Sequence, residues 1–450
     1  MIPVIMSLAW PTMLEQFMQT LVQYIDTAMV GSLGTMATAA VGATSTVGWL
    51  VGSSISALSI GFLAFISQAY GAGDRKKASK ASAQAVLVTV ITGILFTALT
   101  LSLSRKIPRW MQVEENLIEL AGTYFFIVYS PMLFRASSII LGNVLRAAGD
   151  TKTPMRAGLI VNLVNVVLNY FMIYETRTVH FLGLSFLMPG AGFGVAGAAM
   201  ASAISFVAGG IIITWKVFRH PLVSPVGSSF LPDKEILVPC LRVAVPNMLQ
   251  RFGTSLGYVL FASMINSLGE VSMAAHTISN TVESAFYIPG YGMQAATATL
   301  TGNTIGAGDK DRMQKITRMS VMIEVVLMVI SGSLLFAFAP AMAGLFTKDP
   351  EVIQLSGTVL RMVAVSEPFY GVSIIIEGMM QGAGSTLMPF IFNISGMWGI
   401  RILGTFLTTQ VLGMGLQAAW GCMIAHNLAL FACFLVYYRK GKWNALLRAS

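Results

Sequence analysis

The sequence predicts an all-α membrane protein made of two related halves. Three observations predict it: a very high apolar content, apolar runs of helical length, and an internal repeat. Of 450 residues, 55% are hydrophobic and 10% are charged, and the mean hydropathy is +0.73. Soluble domains carry about 25% charged residues, so lipid must cover much of this surface. The apolar runs have about the 20 residues of a membrane helix, which is twice the length of a barrel strand.

Twelve segments are long and apolar enough to cross a membrane as helices. Several exceed the roughly 20 residues that one crossing needs, so we expect tilted or bent helices. Proline removes a helix hydrogen bond, and kinks are therefore expected within the spans that contain Pro11, Pro131, Pro246, Pro289 and Pro368. The predicted spans are 4–31, 38–69, 83–104, 117–145, 156–174, 192–215, 238–267, 272–304, 317–340, 352–380, 387–411 and 414–438.

Lysine and arginine are concentrated on one side of these spans. Loops after even-numbered spans, counted with the first five residues of the next span and with the C-terminal tail, hold 19 of these residues, whereas the loops after odd-numbered spans, counted in the same way, hold five. The positive-inside rule then predicts a multi-pass protein of the cell membrane with both termini in the cytoplasm. Because the net charge of +9 lies in short loops, we expect no nucleic-acid partner.

The two halves align when the sequence is shifted by 235 residues. Pro11 then falls on Pro246, and YGAGD (70–74) falls on IGAGD (305–309). Six spans separate equivalent points, so both halves cross the membrane in the same orientation. Parallel repeats of this kind are typical of transporters, which bind substrate between the repeats near mid-membrane. A duplication kept for packing alone is the alternative.

The repeat predicts three parts of the chain. They are an N-terminal six-helix lobe at 1–215, a cytoplasmic linker at 216–237, and a C-terminal six-helix lobe at 238–450 with a short cytoplasmic tail. The sequence has no GxxxxGK[ST] phosphate loop, nucleophile–base set or metal-ligand spacing. We therefore expect no cofactor and no enzymatic activity.

A polar stripe runs along span 1. At ~100° per residue, Thr12, Glu15, Gln19, Gln23 and Asp26 fall within about an 80° sector of the helix. An ionisable group at membrane depth normally faces a partner or water, so the stripe is predicted to face the protein interior or a wet cavity. Asp26 is the candidate for binding a proton or a metal ion, Na⁺. The alternative is that Asp26 braces a neighbouring helix.

Span 5 presents three asparagines on one helix face. Asn162, Asn165 and Asn169 follow the spacing i, i+3, i+7. Amides can offer oxygens to Na⁺ or hydrogen bonds to a carboxylate and a substrate. Asparagine also joins helices within membranes. Both interpretations stay open here, and the same is true of Ser202 on span 6.

The second half carries its own charged groups within spans. Glu367 and Glu377 share one face of span 10 and are candidates for contact with a substrate. Arg251 on span 7 or Arg401 on span 11 is expected to pair with one of these two acids. A buried structural ion pair is the favoured interpretation of this arrangement.

Nine motifs occur in order along the whole chain. They are DTAMVGSLG (26–34), QAYGAGDRKKA (68–78), LRAAGDTKTPM (145–155), NLVNVVLNY (162–170), GVAGAAMASAIS (194–205), AAHTISN (274–280), NTIGAGDKDRM (303–313), MQGAGSTLMP (380–389) and WGIRI (398–402). Each motif is weak alone, but together they resemble the multidrug and toxic compound extrusion (MATE) transporters. The resemblance covers essentially the whole chain and includes the repeat.

The resemblance implies twelve transmembrane helices in two pseudo-symmetric six-helix bundles that face each other in a V. It also implies exchange of H⁺ or Na⁺ for organic cations. Asp26 matches the acidic residue of the family's first helix, which is central to coupling in the DinF-like branch. The positions implied to line the N-lobe site are Gln19, Asn143, Asn165, Asn169 and Ser202.

Three positions depart from patterns known in the family. Asn169 stands where some members have aspartate, Thr254 where NorM-like members have glutamate, and Tyr370 at their acid in helix 10. A cation site of the NorM type in the C-terminal lobe is therefore not expected. The chain is similar to the DinF-like branch more than to the NorM-like branch.

Together these features predict a monomeric secondary antiporter that exports small organic cations or drugs. The residues assigned to cation coupling are Asp26, Asn165, Asn169 and Ser202, and those assigned to substrate binding are Gln19, Gln23, Asn143, Asn162, Glu367, Glu377 and Arg401. One alternative is a flippase for lipids or lipid-linked oligosaccharides from the same wider superfamily, and a second is a channel. Beyond the first five residues of each span, acids outnumber arginines six to four, which favours cationic cargo.

Overall fold

The computed structural model describes residues 1–110, 115–181 and 184–441. The predicted cytoplasmic tail after residue 441 lies outside them. The described residues are mostly helical. Their α-helices are α1 (Ile2–Gly31), α2 (Thr35–Gly71), α3 (Arg75–Leu103), α4 (Lys106–Trp110), α5 (Ile118–Tyr129), α6 (Met132–Ala147), α7 (Lys152–Ile173), α8 (Gly194–Phe218), α9 (Lys234–Asn266), α10 (Glu270–Gly306), α11 (Lys310–Ala343), α12 (Pro350–Ala364), α13 (Glu367–Gly382), α14 (Leu387–Gly396), α15 (Leu403–Thr405) and α16 (Leu416–Arg439).

Each of the twelve predicted spans coincides with helical structure. Seven helices in the described part of the chain are long and apolar enough to cross a membrane, or nine if each of two bent pairs forms one span. The remaining long helices, α1, α9 and α10, are not among these seven. The bent pairs are α5 with α6, at 48°, and α12 with α13, at 53°. The bends occur beside Pro131 and Pro368, as proline's missing amide hydrogen predicts. Pro11, Pro246 and Pro289 instead lie inside the uninterrupted helices α1, α9 and α10.

Two features of local structure were not predicted. Between α7 and α8, the strands β1 (Glu175–Phe181) and β2 (Leu184–Ala191) pair as an antiparallel hairpin. In the eleventh span, two π-helical stretches, Met397–Ile402 and Phe406–Val411, interrupt the α-helix. Wider turns of this kind change the direction in which side chains leave a helix, and they are frequent at functional sites.

Contacts divide the chain into two compact units. Unit 1 comprises Met1–Gln16, Leu63–Asp74 and Val238–Ser450. Unit 2 comprises Phe17–Phe62 and Arg75–Leu237. Short stretches of α1 and α2 therefore pack with helices from the second half of the sequence. The helices α1 and α2 thus each have one end in unit 1 and the other in unit 2.

In unit 1, glycines allow α2 and α10 to touch through their backbones. A Cβ atom on Gly71 would lie 1.9 Å from the carbonyl oxygen of Asn303, and one on Gly306 would lie 1.9 Å from that of Gln68. Gly71 and Gly306 are equivalent in the repeat, and so are Gln68 and Asn303. The contact is therefore reciprocal. Only a residue without a side chain permits so close an approach.

In unit 2, polar contacts hold the segment between α8 and α9 against α3. The Ser79 hydroxyl donates to the Ser224 carbonyl oxygen at 2.5 Å, and Gln84 donates to that of Leu231 at 2.8 Å. Lys80 donates to Asp233 at 2.9 Å, and this hydrogen bond lowers the pKa of Asp233. The segment that was predicted as a linker is thus attached to the helices of the first half.

The helix crossing in unit 1 can be tested with two glycine substitutions. We expect Gly306→Ala to lower the melting temperature, because the new methyl group would overlap the Gln68 backbone, and overpacking costs about 1–3 kcal/mol. Gly421→Ala in α16 is the control, since no atom lies within 4 Å of its added Cβ. Alanine there should leave stability unchanged or raise it. Equal melting temperatures for Gly306→Ala and the wild type in detergent would contradict the crossing.

Candidate site at Asp26

Four of the residues predicted for coupling meet in unit 2. Asp26 lies half-buried on α1. The Asn169 amide on α7 donates to its carboxylate. The hydrogen-bond network also assigns the Asn165 amide nitrogen towards Asp26, at 2.7 Å from Oδ1. The amide oxygen of Asn165 then accepts from the Ser202 hydroxyl of α8 at 3.2 Å. Asp26 is therefore a carboxylate with two amide donors, supported by a second layer of hydrogen bonding.

The helical periodicity of α7 explains why the asparagines reach one carboxylate. Residues four apart lie one above the other on a helix face, so Asn165 and Asn169 point to the same neighbour. Asn169 is 1% exposed, and its Oδ1 atom has no hydrogen-bond partner among the described residues. Asn162, on the next turn, is also buried, and its amide nitrogen is likewise unpartnered within that part of the chain. The face thus retains hydrogen-bonding groups that could serve a ligand.

The other predicted residues of the first half occupy different surroundings. Gln19 and Gln23 lie on exposed positions of α1. Asn143 on α6 is buried, where it donates to Ser59 and accepts from Arg146 at 2.8 Å. These two hydrogen bonds join the Asn143 amide to side chains of α2 and α6, and neither of them reaches Asp26.

Near this site, the C-terminal ends of α1 and α7 make contacts that the sequence did not predict. The Ser32 hydroxyl, just beyond the end of α1, lies 2.8 Å from the Tyr174 hydroxyl. The Arg177 guanidinium on β1 stacks over the Tyr174 ring at 3.8 Å and the Tyr170 ring at 4.5 Å. These contacts join α1, the end of α7 and the hairpin. Tyr170 follows Asn169 directly, but only the hairpin brings Arg177 back to it.

In unit 1, Glu377 is the acceptor at the centre of a polar network. Its carboxylate accepts from Gln250 at 2.9 Å, Gln381 at 3.3 Å and Asn393 at 3.4 Å. The donors come from α9, α13 and α14. The other predicted acid, Glu367, is 1% exposed at the first turn of α13. Glu377 is therefore committed to joining three helices.

The expected ion pair with Arg251 or Arg401 is wrong. Within the described part of the chain, no ion pair within 4.0 Å joins either arginine to Glu367 or Glu377. Arg251 donates to Asn247 at 3.1 Å. Arg401, 4% exposed, stands over the rings of Tyr258 at 4.7 Å and Phe261 at 4.1 Å.

The physical reason for the missing ion pair lies in the helix that carries Arg401. This residue belongs to the π-helical stretch Met397–Ile402, and its guanidinium points to the aromatic faces of α9. Ring faces are negative and attract the cation without a carboxylate. Phe261 is the repeat equivalent of Asp26. Spans 1 and 5 thus meet through carboxylate and amides, and the equivalent spans 7 and 11 meet through a ring and a cation.

Taken together, these features define a class of protein. Twelve helical spans, two parallel repeats and polar groups paired within the spans are the construction of a secondary transporter. A family model described as MatE matches the chain twice, at residues 11–171 and 246–407. The two matches begin at Pro11 and Pro246, the positions that the repeat aligns. The chain belongs to the MATE family.

Similar proteins extend along essentially the whole chain. A protein of Thermotoga maritima named "Probable multidrug resistance protein NorM" is 30% identical over 447 residues, covering 98% of this chain and 92% of its own length. "Probable multidrug resistance protein YpnP" of Bacillus subtilis is 28% identical over 439 residues, which are 97% of this chain and 94% of that protein. The greater similarity of this chain to the DinF-like branch than to the NorM-like branch stays a prediction.

Solved structures share the fold. One, described as the outward-facing conformation of a multidrug resistance MATE family transporter of the MOP superfamily, has a TM-score of 0.90 and 24% identity, covering 99% of this chain and 96% of that one. The structure of a MOP superfamily transporter from Pyrococcus furiosus has a TM-score of 0.89 at 24% identity, covering 98% of this chain and 96% of that one. At this identity the likeness shows the fold, and the all-α membrane fold predicted from the sequence is confirmed.

The network around Glu377 yields a stability test. Glu377→Leu should lower the melting temperature strongly, because three amide donors lose their acceptor, and each unpaired buried donor costs about 1–3 kcal/mol. Glu377→Gln keeps an acceptor oxygen and should lose much less. The measurement is thermal unfolding of the purified protein in detergent. If the leucine and glutamine variants unfold together, the network does not hold the three helices.

Proposed function

We propose that this chain is a secondary antiporter that exports organic cations in exchange for H⁺ or Na⁺. The observation that carries the proposal is the carboxylate of Asp26 on α1, held by the amides of Asn165 and Asn169. A single acid among neutral amides can gain and lose one positive charge without losing its support. Membership of the MATE family gives this site its setting in a transporter.

Coupling follows from competition for one charge. When H⁺ or Na⁺ occupies Asp26, the site is neutral and a cationic substrate gains little from it. When the ion leaves, the negative charge attracts the substrate. A bound ion can shift a conformational equilibrium only by the difference between its affinities for the two states. The gradient drives export if the ion favours the state that opens outward and is released inward.

Organic cations and drugs are the proposed cargo. Beyond the first five residues of each predicted span, acids outnumber arginines six to four. The relatives named above are described as multidrug resistance proteins, and a human relative, "Multidrug and toxin extrusion protein 1", is 24% identical over 448 residues, covering 98% of this chain and 75% of its own length. Asn162 and the unpartnered oxygen of Asn169 supply hydrogen-bonding groups for such a ligand beside Asp26.

The role of Asp26 is tested by efflux of a fluorescent organic cation from proteoliposomes, with H⁺ and Na⁺ gradients imposed separately. One gradient should drive efflux by the wild type. Asp26→Asn should abolish this efflux, because an amide cannot bind H⁺ or balance Na⁺. Asp311→Asn, an exposed acid at the start of α11, is the matched control and should transport normally.

Two results would contradict the proposal. Undiminished efflux by Asp26→Asn would remove Asp26 from the mechanism. Translocation of a labelled lipid by the wild type, without gradient-driven efflux of the cation, would favour the flippase.

The chain is further proposed to lie in the cell membrane with both termini in the cytoplasm. The uneven distribution of lysine and arginine over the loops supports this orientation. In a bacterial host, fusion of a green fluorescent protein to the C-terminus should fluoresce, and fusion of alkaline phosphatase there should be inactive. An active phosphatase at that end would reverse the orientation.

A further inference from the structure

Glu324 is a fully buried acid in the middle of α11. Its exposed fraction is 0%. Neither of its carboxylate oxygens has a hydrogen-bond partner in the described part of the chain. Glu377, in the same unit, accepts three hydrogen bonds, so the two acids differ completely in their surroundings. A buried carboxylate with no donor is exceptional and calls for a physical explanation.

Two glycines provide the space that the carboxyl group occupies. A Cβ atom on Gly290 of α10 would lie 2.6 Å from Oε1 of Glu324, and one on Gly371 of α13 would lie 3.1 Å from its Cγ. Met328 also lines the position of the Gly290 Cβ, at 2.9 Å. The acid thus packs against bare backbone and a thioether, in a cradle formed by three helices.

The chemistry of this cradle selects the ligand. An unpaired charge transferred from water to a medium of low polarity is so unfavourable that such a group becomes neutral. A sodium ion is a hard cation that would need several oxygen ligands. No group of three or more His, Cys, Asp or Glu side chains suited to a metal occurs among the described residues. A single proton removes the charge without any further ligand.

Among the described residues, the neighbouring helices bring acids near the cradle, and no ion pair reaches Glu324. On α13, Glu367 interacts electrostatically with both Glu324 and Glu283 of α10, and one Glu367 oxygen is also unpartnered within the described ranges. The guanidinium of Arg401 interacts electrostatically with the carboxyl group of Glu283. Arg361 of α12 donates to the Phe336 carbonyl oxygen, several turns further along α11. The N-terminal part of α1 packs near this region through apolar side chains.

We propose that Glu324 is a proton-binding site, separate from Asp26 and occupied in the conformation described here. A hydronium ion of the solvent transfers its proton to one carboxylate oxygen, so that an O–H bond forms, the side chain becomes neutral and a water molecule remains. Glu367, one turn before Gly371 on α13, is the adjacent group to which the proton can pass. This site extends the proposed antiport, and its use during transport rests on that function. Occupancy by a proton is measurable without transport.

The test is infrared spectroscopy of the purified full-length protein in lipid at neutral pH. A protonated carboxyl group has a C=O stretch distinct from that of a carboxylate. The wild type should show this band, and Glu324→Gln should lose one component of it. Glu351→Gln is the control, because Glu351 is exposed to solvent on α12, and it should leave the band intact. Glutamine resembles the neutral acid in shape, so the variant should fold.

A second measurement separates an exchanging site from a sealed one. In D₂O the component assigned to Glu324 should shift, which shows that its proton reaches water. An unchanged band in Glu324→Gln, or a component that never shifts in D₂O, would overturn the proposal. Glu324→Met, which is uncharged and of similar length, is the second variant if the glutamine form does not fold. These outcomes do not depend on efflux, so failure of the antiport proposal would be recognised separately.

Discussion

A carboxylate away from bulk water needs hydrogen-bond donors or a proton, and this constraint orders the polar interior of the protein. Asp26 has two amide donors, and Glu377 has three. Glu324 has none among the described residues. The first arrangement supports a charge that can be gained and lost, and the second fixes a charge that joins helices. The third leaves a proton as the simplest means of neutrality. Similar side chains therefore have three different chemical roles.

The repeat shows how duplication preserved helix packing while the chemistry diverged. The reciprocal contacts of Gly71 and Gly306 are backbone contacts, and they are the same in both halves. By contrast, Asp26 has Phe261 as its equivalent, and span 11 contacts this ring through Arg401, whereas span 5 contacts Asp26 through its asparagine amides. The contact between a carboxylate and amides in the first half is electrostatically favourable, and so is the contact between an aromatic ring and a guanidinium in the second half. Backbone packing tolerates little change, whereas paired side chains can be replaced together.

The two halves also differ in how many ionisable groups they bury. In unit 2, the site is one acid supported by amides and a hydroxyl. In unit 1, Glu283, Glu324 and Glu367 lie on three adjoining helices with Arg401 as a nearby cation. Buried ionisable groups within spans are commonly retained for function, because each one opposes insertion into lipid. Among the described residues, the second half thus buries more ionisable side chains than the first.

Local regularities of the sequence determined the fold class, the twelve spans, the repeat and the face shared by Asn165 and Asn169. Apolar run length and helical periodicity depend on neighbouring residues along the chain, and both can be counted directly. The acid at position 26 was recognisable because a polar stripe in span 1 cannot face lipid.

Partners across helices were decided by tertiary structure. The sequence predicted an acid for Arg401, but a π-helical stretch directs this residue to aromatic rings. Glu377 and Glu324 look alike as glutamates within spans, yet one meets three amides and the other meets glycine backbone. The hairpin that brings Arg177 onto Tyr174 depends on pairing between strands. Such contacts join residues far apart in the chain, so only packing in three dimensions determines which donor, ring or void each side chain meets.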